Sequence, residues 1–185
     1  MRRLIMWNMV TLDGFFEGAT KWDLDFHDLV WGEELEQLSI EQTGGADLLL
    51  FGRVTYEGMA AHWPTAKGRV AEIMNAIPKV VFSRTLDRAD WSNTRLVKRD
   101  AIEEVAELKE QDGGDMLVFG SAELSASLME QDLIDEFRLC IVPVVLGAGT
   151  PLFKPRDRRQ TMNLVDTRTL ATGGVIVRYQ RRLPR

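Results

Sequence analysis

Short apolar runs, each closing on a small or polar turn and most followed by a helical stretch, constrain this chain more than any other feature. They are Arg3–Val10, Ala46–Phe51, Lys79–Phe82 and Met116–Phe119. Brief continuous apolar runs are the pattern of strands covered on both faces, and such strands belong to parallel sheets sandwiched between helices. The intervening stretches supply those helices. Glu33–Thr43 carries Leu35, Leu38 and Gln42 at helical spacing and stops at Gly44-Gly45, as a helix with a glycine cap does. Arg53–Trp63 is closed by Pro64. Lys67–Ala76, Ala101–Gln111 and Ser121–Gln131 complete the helical set, and Arg95–Lys98 reads as a further short strand. Residues 15–32 read as a loop rich in Asp, Gly and aromatics. After Asp132 the character changes to consecutive strands, Ile134–Leu146, Met162–Leu170 and Gly174–Arg182, the last two joined by the hairpin signal Ala171-Thr172-Gly173. Alternation followed by consecutive strands predicts one α/β domain over residues 1–185. It has three layers and a mostly parallel central sheet with an antiparallel C-terminal edge.

Composition narrows the function. With 185 residues the chain buries a full core without disulfide or metal staples. Its formal net charge of −5 argues against a general affinity for nucleic acid or acidic lipid, so neither is expected as a partner. The basic residues gather at Arg2–Arg3, Lys154–Arg159 and Arg178–Arg185, and read as solvated surface and chain ends. One cysteine, Cys140, lies inside an apolar run and reads as a core residue; no zinc-type Cys/His spacing exists, so no metal is expected. The N-terminus lacks a sustained apolar segment. Leu139–Phe153 is broken by prolines and glycines and is too short to span a bilayer, so a cytoplasmic location is expected.

The motifs that carry chemistry sit where apolar runs end. Leu48-Leu49-Leu50-Phe51 runs into Gly52-Arg53-Val54-Thr55-Tyr56-Glu57, a strand that ends at a glycine and turns straight into a helix. Ligands of open α/β sheets bind at such carboxyl ends, where helix N-termini present free N–H groups to anions. Gly52 lets a ligand approach the backbone, Arg53 offers a planar fork to phosphate, and Thr55 adds a hydroxyl. Lys79–Phe82 ends in Ser83-Arg84-Thr85, a second hydroxyl–arginine pair suited to holding the same phosphate from the other side. Met116–Phe119 ends in Gly120-Ser121-Ala122, small enough for a pyrophosphate over a helix start. Each junction is also a legitimate strand–turn–helix corner without any ligand. Leu146-Gly147-Ala148-Gly149-Thr150 is followed by a proline and no helix, and reads as a turn.

Taken together, these blocks resemble the reductase half of the bifunctional riboflavin-pathway deaminase–reductase, and more remotely dihydrofolate reductase. Carrying the resemblance are Thr11-Leu12-Asp13-Gly14, Gly52-Arg53-x-Thr55-Tyr56-Glu57, Ser83-Arg84-Thr85 and Phe119-Gly120-Ser121. To these the tail adds Asp135-Glu136-Phe137-Arg138 and Val142–Phe153. The resemblance implies a dihydrofolate reductase-like fold and hydride transfer from NADPH to a pyrimidine- or pterin-like small molecule. A ribosylamino-pyrimidine is one such substrate. It implies that Arg53, Thr55, Ser83 and Arg84 surround the 2′-phosphate, and that Gly52, Phe119, Gly120, Ser121 and Ala122 line the rest of the cofactor path. Two departures stand out. Glu123 occupies the place where dihydrofolate reductases carry a basic residue, and the deaminase pattern His-x-Glu with Pro-Cys-x-x-Cys is absent from these residues.

Hydride transfer needs a proton source. Glu36 lies on the helix before Gly52, where dihydrofolate reductases keep their substrate-binding acid, with Ile40 one turn on; the same Glu36 also fits the solvated run Glu33-Glu34-Leu35-Glu36. Asp13 is the rival, though an Asp-Gly pair makes a turn without chemistry. His27 reads as loop surface and Trp7 as core. Two functions remain open on these residues, an NADPH-dependent reductase and an NADP(H)-binding regulatory module without turnover. The apolar C-terminal strands leave an edge to cover, which predicts a homodimer.

Overall fold

The computed structural model describes residues 1–182; Arg185, the end of the C-terminal basic cluster, lies outside them. Eight strands form one sheet in the order β5-β4-β3-β6-β1-β7-β10-β9. The strands are β1 (Leu4–Thr11), β3 (Ala46–Gly52), β4 (Lys79–Phe82), β5 (Thr94–Val97), β6 (Asp115–Phe119), β7 (Glu136–Val142), β9 (Met162–Thr169) and β10 (Val175–Arg181). All neighbours from β5 to β7 run parallel, with Trp7 beside Phe119 and Leu50 beside Val118. The β7–β10 and β10–β9 pairs are antiparallel, the edge expected from the consecutive strands.

Alternation along β1 shows why three layers form. Leu4, Met6 and Val10 join a buried cluster with Val105, Leu108, Leu124 and Leu128, residues of α4 (Ala101–Glu110) and α5 (Ala122–Glu130). Ile5 and Trp7 point the other way. Ile5 packs in the cluster of Tyr56 and Met74, from α2 (Arg53–His62) and α3 (Arg69–Ala76); Trp7 packs with Leu35 of α1 (Glu33–Gly44). Successive side chains on a strand face opposite sides, so an apolar strand needs helices on both. The helices answer that demand.

Two local expectations change. Residues 15–32 are not wholly irregular: they hold β2 (Phe15–Glu17) and a short 3-10 helix, Asp25–Leu29. The strand expected over 134–146 ends at Val142. Beyond it Pro143 cannot donate to a ladder, and Gly147 and Gly149 adopt φ of +75° and +157°, which turns the chain away. It returns as β8 (Thr150–Pro151), which pairs with β2 in a separate two-stranded ribbon. Among the described residues, no helix is long and apolar enough to cross a membrane.

Candidate active site

The carboxyl ends of β4, β3, β6 and β1 lie in a row, and each sequence motif occupies one of them. A cavity of about 1130 Å³ opens at the β3, β6 and β1 part of this row, large enough for two ligands side by side. Gly52, Arg53 and Thr55 line it, as do Phe119, Gly120, Ser121 and Ala122 and, from α1, Glu36.

The two glycine corners are stitched to each other. The Ser121 N–H donates to Thr55 Oγ1 at 2.9 Å, and the Gly52 N–H donates to Ser121 Oγ at 3.0 Å. Gly120 and Ser121 both hold φ of +50°. A side chain on Gly120 would stand 3.2 Å from Thr55 Oγ1, so glycine there serves both the turn and the close approach. Ser121 bears the less common left-handed conformation because its two hydrogen bonds fix it. The hydroxyls of Thr55 and Ser121 therefore brace the cradle, a different use from the phosphate contact expected of Thr55. No side chain caps α2 or α5. Their first-turn N–H groups, with the positive ends of two helix dipoles, are left to whatever fills the cavity.

Arg53 is exposed at the start of α2 and pairs with Glu57 one turn on, at 3.0 Å. An exposed pair at this spacing contributes about 0.3–0.5 kcal/mol, so a phosphate can displace Glu57. Ser83 and Arg84 follow β4, next to the end of β3, but do not line the cavity. Ser83 Oγ instead accepts from the N–H groups of Thr85 and Leu86, at 3.2 and 3.0 Å. Ser and Thr hydroxyls close local turns in this way.

The two candidate acids part company. Glu36 is half-buried on the cavity wall, whose lining also includes Trp7, Trp31 and Phe119. Ile40 does not line the cavity; the α1 residues that do are Glu36, Ser39, Gln42 and Thr43. Asp13 lies outside the lining and is exposed. It accepts from the Thr11 hydroxyl at 2.6 Å and from the N–H groups of Gly147 and Leu146 at 2.7 and 3.3 Å, and so ties the β1 turn to the Leu146–Thr150 turn. The Thr11 hydroxyl first, then those backbone donors, hold its carboxyl below the usual range.

Other side chains converge here without a local motif. Trp7 is both core, at 7% exposure, and cavity wall. His27 is not loop surface: it is half-buried, lines the cavity, and has a buried Nε2 with no hydrogen-bond partner among the described residues. Burial pushes its pKa down to about 4, against the pull of Asp28, so the imidazole is neutral at pH 7. Trp22 seats its indole against Gly58 of α2, where any side chain would collide with the ring. Lys154 reaches Glu123 at 2.7 Å, bringing a cation to the start of α5 from a distant part of the chain. Asn8 is 6% exposed; its Oδ1 accepts from the Gly120 N–H at 2.6 Å, and its Nδ2 has no partner among the described residues. A glycine inside a helix and an asparagine inside an apolar strand were the available signals for Trp22 and Asn8. Cys140 is fully buried, and burial pushes its thiol up to about 12, which leaves it inert core.

Comparison with known proteins agrees with this geometry. The protein YyaP of Bacillus subtilis (strain 168), described as uncharacterized, is 33% identical over 96% of this chain and 94% of its own. A putative riboflavin biosynthesis protein from Shewanella sp. PV-4 has the same fold, with a TM-score of 0.79 and 21% identity over 98% of this chain and 99% of its own. Dihydrofolate reductase from Enterococcus faecalis, solved with NADP(H), overlays with a TM-score of 0.60 and 15% identity over 97% and 96% of the two chains. The fold is dihydrofolate reductase-like. With residues 2–177 matching the pattern of the RibD C-terminal domain, the chain belongs to the RibD C-terminal domain family.

Proposed function

We propose that this protein is a cytoplasmic, NADPH-dependent reductase that acts on a pyrimidine- or pterin-like small molecule. It would resemble 5-amino-6-(5-phosphoribosylamino)uracil reductase in its chemistry. The observation that carries the proposal is one cavity onto which two uncapped helix N-termini open and into which the half-buried Glu36 also faces. The residues fit a dinucleotide: the α5 start at Ser121–Glu123 suits a pyrophosphate, and Arg53, with Ser83 and Arg84 at the next strand end, suits an adenosine 2′-phosphate. When bound, NADPH supplies the hydride. Thr55 and Ser121 keep the cradle rigid, while Trp7 and Phe119 give the cavity an apolar wall. Glu36 holds the proton for the substrate, because it lies on the cavity wall and Asp13 is bound into a turn.

The test joins a binding titration to turnover. NADPH should bind, and absorbance at 340 nm should fall when heterocyclic substrates are added. Glu36→Gln should lower turnover about a hundredfold, the scale of a lost general acid, with NADPH affinity unchanged. Binding without consumption across a panel of pterins and pyrimidines would instead identify an NADP(H)-binding module. Full activity in Glu36→Gln would move the acid elsewhere.

We also propose a homodimer. The edge strand β9 is eight residues long and exposed along nearly its whole length, with Leu164 and Val165 57% and 44% exposed. Natural proteins seldom leave so long an edge unpaired and uncovered. A second copy of the chain is the occupant proposed. Sedimentation at micromolar concentration should give twice the 21.0 kDa chain mass, and a clean monomer would overturn it.

A further inference from the structure

Asn8 is a buried polar side chain on the cavity wall that the proposed function leaves without a task. It sits on β1, the central strand beside β6, at a position where the neighbours Met6 and Val10 are core. Burying an amide among them is unfavourable unless both ends are satisfied. One end is: Oδ1 accepts from the Gly120 N–H at 2.6 Å. That bond also fixes which way the amide faces, since the flipped side chain would oppose two donors. The other end, Nδ2, is buried and has no acceptor among the described residues. An unsatisfied buried donor costs about 1–3 kcal/mol. Asn8 lines the cavity, so a group that enters there is the one placed to relieve this cost.

We propose that Asn8 positions the nicotinamide end of the dinucleotide, its Nδ2 donating to the carboxamide oxygen. This rests on the cofactor reading above. The amide is clamped to Gly120, the same residue whose turn starts the pyrophosphate cradle, so one side chain ties the phosphate seat to the reacting ring. Around Gly120 the wall is apolar or already bonded. Phe16 lies across Gly120, and Thr55 Oγ1 already accepts from Ser121. A planar carbonyl is the acceptor that suits a neutral donor in such surroundings. Asn8 is thus a positioning residue: it orients the ring and has no part in proton transfer.

Asn8→Asp is the discriminating variant, because the carboxylate keeps the acceptor for the Gly120 N–H and puts a negatively charged acceptor, which repels a carbonyl oxygen, where the free donor was. Melting temperature reports whether the fold survives. Binding is then measured for NADPH and for adenosine 2′,5′-bisphosphate, which has the phosphate groups and no nicotinamide. The expected result is a tenfold to hundredfold loss for NADPH, corresponding to about 1.4–2.7 kcal/mol, with the bisphosphate within twofold of wild type. Equal losses for both ligands, or no loss for NADPH, would overturn the assignment. If the variant does not fold, wild type is compared with NADPH and its thionicotinamide analogue, whose sulfur is a poorer acceptor. Weaker binding of the analogue supports the assignment, and equal affinity overturns it. A wild-type protein that binds neither NADPH nor the bisphosphate removes the cofactor reading itself, an outcome distinct from a failure confined to Asn8.

Discussion

The two parts of the sheet use polar groups in opposite ways. At the carboxyl ends of β3, β6 and β1, donors are kept spare: α2 and α5 start without side-chain caps, and Asn8 Nδ2 has no partner. Across β7 and β10, polar groups are spent on one another. Glu136, with no exposed surface, accepts from Arg138 at 2.5 Å, Arg178 at 3.1 Å and Gln180 at 3.2 Å, with Arg3 at 3.4 Å. The first region leaves free energy of solvation unrecovered until a ligand arrives. The second recovers it within the fold. The C-terminal sheet is therefore where stability should be sought, and the strand ends are where affinity should be sought.

The largest expected effect breaks the C-terminal side of this comparison. Glu136→Ala leaves Arg138, 9% exposed, without its anion, and the loss of one partner of a buried pair costs about 3–5 kcal/mol. Burial pushes the Glu136 carboxyl upward, but the hydrogen bonds of Arg138 and Gln180 and the charges of Arg138 and Arg178 outweigh it and hold the pKa below 4.5. A carboxylate depressed in the folded state contributes stability that is present above its unfolded pKa and lost as pH falls through its folded pKa. Wild type should therefore weaken below about pH 4.5, and the variant should lack that component of the acid loss. Denaturant titrations at pH 7 and pH 4 measure both. NADPH affinity of the folded fraction should not change; if it falls as steeply as stability, the division between the two regions is wrong.

A middle-sized effect sharpens the site side. Arg53→Ala should weaken NADPH by about 1.5–3 kcal/mol, the range of a hydrogen bond to a charged group, and leave NADH nearly unchanged. Its melting temperature should move little, because the lost intramolecular contact is the exposed pair with Glu57. Equal losses for NADPH and NADH would place Arg53 away from the 2′-phosphate.

The same contrast explains what could be read from the residues alone. Strands β1, β3, β4 and β6 were legible because each is a short apolar run ended by a glycine or a polar turn, a local signal. The corners Gly52–Thr55 and Gly120–Ala122 were legible for the same reason, and both line the cavity. β2 and β8 were not, since strands of three and two residues exist only through their pairing with each other. Ser83 and Thr55 were recognised as site hydroxyls by type, but their hydrogen bonds go to the protein's own turns. Asn8, His27 and Lys154 reach the cavity from three separated segments. Nothing within a window of sequence marks such convergence.

The smallest expected effect concerns Glu123, whose acidic character departs from the dihydrofolate reductase pattern. Glu123 lies in the first turn of α5, 87% exposed, where a carboxylate takes up the positive end of the helix dipole that a phosphate would otherwise use. It also holds Lys154, which lines the cavity. Removing Glu123 should therefore release a cation and a helix terminus together. An exposed ion pair contributes about 1 kcal/mol at most, so Glu123→Ala should leave stability unchanged and tighten NADPH two- to fivefold. Lys154→Ala should weaken NADPH by a similar factor. The double variant separates the two contributions. If Glu123→Ala tightens binding only while Lys154 is present, the lysine supplies the charge that a basic residue at 123 would have given. If it tightens binding equally in both backgrounds, the helix terminus alone is responsible. Raising the salt concentration should shrink the lysine-dependent part, because both side chains lie within reach of solvent ions.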